Sequence, residues 1–172
     1  MGRKITVLAF VLLIVSGWIL SDCLLAQALM EQKETPLIIQ SFASKEIRPG
    51  DTWRVYLKAS DPDGRMKYIF ATVSQPGIGI YPVSIIRISG ENQKELSGYI
   101  YLNTAPTRLP AFFNGLLTLT VTIQRKGGQF SQPVVFPLFF QAKATKEGPP
   151  EGVFKEQELG PIMVTLRTGI RR

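Results

Sequence analysis

The sequence contains no histidine, which removes the side chain used most often as a general base and metal ligand near neutral pH. Its single cysteine, Cys23, lies near the N-terminus. An intrachain disulfide is therefore impossible, and thiol catalysis and zinc–thiolate centres are excluded from the rest of the chain. No Ser-x-x-Lys, phosphate-loop or dinucleotide-binding glycine pattern occurs. A pair of carboxylates could still do hydrolytic work, but no spacing brings two of them into a cleft, so a non-catalytic protein is expected. Acidic side chains are scarce, 13 against 20 basic, for a net charge of +7. Helix-period patterns are missing from residue 35 onward.

What remains is strand after strand. The stretch that organises the chain is 115–141, GLLTLTVTIQRKGGQFSQPVVFPLFFQ. Leu117, Leu119, Val121 and Ile123 alternate with Thr118, Thr120, Thr122 and Gln124, which gives one strand an apolar and a hydroxylated face. Gly127 and Gly128 supply a turn, and 134–140 returns with β-branched and aromatic residues. Earlier strands are expected at 36–42, 52–60, 66–73, 79–88 and 95–103, separated by Pro, Gly and Asp turns. In 52–60, Trp53, Val55, Leu57 and Ala59 share one face, and Arg54, Tyr56, Lys58 and Ser60 the other. The connection 104–114, with Pro106 and Pro110, is long enough to cross between sheets. Seven short strands of this kind predict an all-β, Greek-key sandwich of two antiparallel sheets.

The N-terminus is different in kind. Arg3 and Lys4 precede an uncharged apolar run, 5–20, and Ala26-Gln27-Ala28 offers small residues at a cleavage position. Residues 1–28 read as a hydrophobic signal helix, with an uncleaved anchor and a lipoprotein signal at Cys23 as alternatives. Asp22, directly before that cysteine, departs from the lipoprotein pattern. Each of these readings exports the remainder of the chain, because the positive end stays in the cytoplasm. The expected location is periplasmic or secreted, or else anchored by the N-terminal helix. Residues 29–35 read as a flexible lead-in, 36–142 as the sandwich, and 143–160 as a charged Pro/Gly loop. Residues 161–168 then form a final strand, either of the same domain or lent to a partner's sheet edge.

The turn Asp61-Pro62-Asp63-Gly64, between RPGDTWRVYLKAS and MKYIF, resembles the B-strand, loop and C-strand of immunoglobulin-like, cadherin-like and PKD-like extracytoplasmic domains. The resemblance implies a non-catalytic module for adhesion, ligand contact or spacing. The Cys–Trp–Cys framework of antibody domains is missing.

Asp61 and Asp63 are the candidate metal ligands. They supply two oxygen-bearing side chains, Glu91 a third, whereas calcium takes six to eight oxygen ligands. Arg125 and Lys126, expected in a neighbouring loop, would repel a cation. Asp51 cannot join the pair, since at ~3.3 Å per residue it begins a strand roughly 30 Å from its end. No other cofactor is expected. For a partner, an unknown protein or glycan, the candidate contacts are Tyr56, Tyr99 and Tyr101 as an outward aromatic platform, with Arg125 and Lys126 as a basic patch. Nucleic acid is not expected, since no basic run is interleaved with stacking aromatics. Membrane contact is expected only through the N-terminal segment, if it stays uncleaved. The function predicted is thus an exported module for binding, adhesion or structural support. The alternative is a membrane-tethered component of a cell-envelope assembly, docking by its last strand and basic surface.

Overall fold

A computed structural model describes residues 35–104, 116–145 and 147–166. The chain divides into two compact units, Met1–Thr35 and Pro36–Arg172, and every described strand belongs to the second. The expected signal helix, all of the lead-in but Thr35, the 105–114 part of the crossover, Gly115 and the last two residues of the expected 161–168 strand lie outside the described residues.

Among the described residues, ten strands form two sheets. The first contains β1 (Leu37–Ala43), β3 (Thr52–Ser60), β7 (Glu95–Asn103) and β10 (Glu158–Pro161), in the order β1-β3-β7-β10. The second contains β2 (Glu46–Ile47), β4 (Met66–Gln75), β5 (Gly79–Ile80), β6 (Ser84–Arg87), β8 (Leu116–Arg125) and β9 (Val134–Phe140). Its order is β2-β9-β8-β4, with both β5 and β6 paired to β4. A single 3-10 turn, Gly90–Asn92, precedes β7.

Alternation builds the interior. Trp53, Val55, Leu57 and Ala59 of β3 meet Leu117, Leu119, Val121 and Ile123 of β8 in one buried cluster with β4, β7 and β9. The long strands β3, β4, β7 and β8 are apolar on the side that faces the other sheet, so removing that side from water is the force that closes the two layers. Trp53 is buried, and its indole N–H donates to the carbonyl of Ser44 at 2.8 Å, which satisfies the one polar atom that such a ring brings into a core. At the β8–β9 connection Gly127 and Gly128 have φ of 114° and 94°, the region that a side chain disfavours.

Several expectations are corrected. The sheets are mixed, because β10 runs parallel to β7 and β2 parallel to β9. The 79–88 strand is two pieces, β5 and β6, parted at Pro82. There Tyr81 turns inward, and its hydroxyl is bonded to Gln75. The final strand is not 161–168. β10 starts at Glu158, inside the 143–160 stretch that the charge pattern reads as loop, and ends at Pro161. Beyond it the Ile162 amide still donates to the Tyr101 carbonyl at 2.7 Å, and 163–166 continues outside the strand. Ile162 is buried, with Leu159, Val164 and Leu166 packed on the core. Their alternation records burial rather than strand pairing, and the interior extends beyond residue 142.

Candidate functional site

The outer face of the first sheet carries the tyrosines. Register places Tyr56 opposite Tyr99 and Arg54 opposite Tyr101, so the three phenols share one side as alternation requires. Ring centroids lie 5.5 Å apart for Tyr56–Tyr99 and 6.5 Å for Tyr99–Tyr101. The Arg54 guanidinium sits 4.7 Å above the Tyr99 ring, a favourable cation–π geometry.

That platform is not open. The segment 147–157 crosses it as a strap. Phe154 packs on Tyr56 at 5.7 Å between centroids, and Phe42 packs from β1 at 6.4 Å. The Tyr56 hydroxyl donates to Glu156 Oε1 at 3.0 Å, and Arg54 Nη1 lies 3.4 Å from Glu156 Oε2. The amides of Lys155 and Tyr99 donate to Ser97 Oγ and to the Gln157 carbonyl. Tyr56 is left 4% exposed, which corrects its expected role as an accessible contact; Tyr99 and Tyr101 are half-buried. Burial pushes the Tyr56 phenol up from its ordinary value; Arg54 lowers it and Glu156 raises it by smaller amounts. Tyr101 shifts the same way, from loss of water first and from Glu158 second. The Arg54 cation is held more firmly by its bond with Tyr56, against a smaller loss from burial.

The strap depends on Gly98. A Cβ there would stand 2.4 Å from the Gln157 carbonyl oxygen, so only glycine lets the strap approach the sheet this closely. Beside it, a groove of about 500 Å³ runs between β1, β3, β7 and 152–155, lined by Ile39, Lys58, Glu95, Val153, Phe154 and Lys155 among others.

The second cluster lies at the β3–β4 turn. Asp61 is 1% exposed and accepts from the amides of Asp63 and Arg65, at 3.1 and 3.2 Å. Arg125 is not a loop cation but the last residue of β8, buried, and it corrects the expected basic patch. Its Nη2 donates to Asp63 Oδ2 at 2.8 Å, and its Nε lies 3.7 Å from Asp61 Oδ2. The carboxylates read as calcium ligands are thus engaged by a guanidinium and by their own turn, an arrangement that stabilises a bend. Among the described residues no group of three or more acidic or thiol side chains could hold a metal ion. Lys126 is exposed, and its Nζ donates to Gln93 at 3.1 Å. The structure therefore groups the tyrosines on one sheet face and places Asp61, Asp63 and Arg125 together at one turn, away from them in register.

Sequence reasoning missed Phe154, Glu156 and Gln157. Nothing in a charged stretch after Gly148-Pro149-Pro150 marks Phe154 and Glu156 as partners of β3 or Gln157 as a partner of β7.

No protein-family model matches the sequence, and no curated protein does either. Among solved structures, the CARDB domain of a Pyrococcus furiosus protein, in complex with di-metal ions, is similar at a TM-score of 0.33 and 9% identity. The match covers 62% of this chain and 86% of that one. The family stays open. A likeness this slight transfers neither metal nor function.

Proposed function

We propose that the chain is an exported, non-catalytic binding or structural module with an immunoglobulin-like sandwich at its centre. The strand orders support that reading. A short β2 joins β9 in parallel while β1 joins β3, and β4, β8 and β9 form the facing sheet, much as A, B and E oppose C, F and G in immunoglobulin domains. The observation that carries the functional part is the uneven finish of the two outer faces. One is strapped by the chain's own 147–157 segment and leaves Leu37 and Ile39 of β1 exposed, whereas the other, with its turns, keeps six large apolar side chains in solvent. Exposed apolar patches of that kind mark interaction surfaces.

The alternative is a membrane-tethered component of a cell-envelope assembly, docking by its last strand and basic surface; the pairing of β10 with β7 inside the chain's own sheet favours the first reading. The test is a photo-crosslinking residue at position 85, on the bare face, or at 99, on the strapped one, in the exported chain. Adducts at 85 with few at 99 support the reading. Adducts at neither position would remove the binding half of it, and recovery of the chain in the cytoplasm would remove the export half.

A further inference from the structure

Nine large apolar residues are exposed in the described part of the chain, and six belong to the second sheet or its turns: Ile80, Val83, Ile85, Phe130, Val135 and Phe139. Register joins them into a band. Ile85 stands opposite Phe70, Phe70 opposite Thr122, and Val135 opposite Thr120. The Phe70 ring contacts Tyr68 and Phe130 at centroid distances of 6.3 and 5.3 Å.

The charges on this side are predominantly positive. β4, β5, β6, β8 and β9 contain no aspartate or glutamate. Lys67 and Arg87 lie on the sheet, and Arg65 and Lys126 adjoin its end; Arg125 is turned inward to Asp61 and Asp63. The sheet's one acid, Glu46 of β2, accepts from Gln141. Among the described residues Glu95, Glu147, Glu151, Glu156 and Glu158 belong to the first sheet and its strap, and Asp51, Asp61, Asp63 and Glu91 to turns. Two copies meeting by this face would oppose like charges, so a second copy is a poor occupant. The matching surface is anionic and has an apolar interior. The exposed side chains also project singly from strands and turns, which a fluid interface accommodates without matching pockets.

We propose that the outer face of the six-stranded sheet docks on a lipid surface bearing acidic headgroups. Ile85, Val135 and the aromatic rings enter the interface, where amphipathic rings settle at headgroup level. Lys67, Arg87, Arg65 and Lys126 meet the headgroups, each near cation strengthening attachment about fivefold. This rests on reading the face as the module's binding surface, and it adds a contact beyond any made by the N-terminal segment.

The test uses the full chain carrying Cys23→Ser, with an environment-sensitive dye on Ile85→Cys or, as control, on Leu37→Cys of the other sheet. Vesicles of phosphatidylcholine, with and without phosphatidylserine, are added. Attachment through the N-terminal stretch is common to both labelled forms, so the dye position isolates the face. The expected result is a blue shift at 85 with phosphatidylserine, absent at 37 and lost at high salt. Lys67→Gln with Arg87→Gln should weaken the salt-sensitive binding about 25-fold, with an unchanged melting temperature, whereas Lys58→Gln on the other sheet should change it little. An unshifted dye at 85, equal shifts at both positions, or equal binding to both vesicles would each overturn the proposal. A silent dye together with protein adducts at 85 would do the same, in favour of an acidic protein partner, and would leave the module reading intact.

Discussion

Replacing Arg125 with methionine isolates the buried charges at the β3–β4 turn. Methionine keeps much of the side-chain volume but leaves Asp61, 1% exposed, without its guanidinium. Removing one member of a buried ion pair costs about 3–5 kcal/mol. Two amides still bond the Asp61 carboxylate, and Asp63 is 57% exposed on its side chain and can turn to water. The cost should therefore fall near the lower bound, about 3 kcal/mol. At 2–4 °C per kcal/mol for a chain of this size, the melting temperature should drop by roughly 10 °C. Urea unfolding gives the free energy directly, and a cycle with Asp61→Asn apportions it. Asp61→Asn alone leaves Arg125 paired with Asp63 but without the buried carboxylate, so the double variant should lose less than the two single losses added together. A loss below about 1 kcal/mol for Arg125→Met, or strict additivity in the cycle, would refute the idea that this pair is electrostatically coupled.

Three further outcomes rest on the same geometry. Gly98→Ala forces the Gln157 carbonyl away from a Cβ that would stand 2.4 Å from it, so limited proteolysis should cut within 147–157 faster than in the parent, and an unchanged digest would disprove the close approach. Trp53→Phe removes the 2.8 Å bond to the Ser44 carbonyl and should cost about 1–3 kcal/mol by urea unfolding, because a buried acceptor loses its donor. The Tyr56 phenol titrates above its ordinary 10.0 in the folded chain, chiefly through burial. The unfolded chain therefore releases this proton first, so its contribution is full below pH 10 and is lost as pH rises through the folded value. Tyr56→Phe should flatten that alkaline decline in melting temperature; a parallel decline in both proteins would assign it to other groups.

The strands that read most clearly in the sequence are those whose alternation is set by burial on one side only. β3, β7 and β9 begin and end where their patterns do, because Pro-Gly, Asp-Gly and polar turns bound them. β10 was not legible, since its four residues, ELGP, have no period of their own and are placed by pairing with β7. Parallel pairing was invisible for the same reason: neither β2 nor β10 is long enough to show a face. Arg125 was misplaced because a cation before Lys126-Gly127-Gly128 looks like part of the turn. Its burial is decided by Asp61 and Asp63, 62 residues away in the latter case. The tyrosine face was correctly grouped by alternation, but its cover came from a segment whose composition resembles a linker.

The bond between Tyr56 and Glu156 joins groups 100 positions apart, and this has a consequence for biogenesis. A chain emerging N-terminus first completes β3 and β7 long before the piece that shields them exists. Until the final stretch arrives, the free flank of β7 and the ring of Tyr56 face whatever surrounds the nascent polypeptide. Stop codons placed shortly before residue 147 should therefore yield clumped or degraded product rather than a slightly shortened, working one.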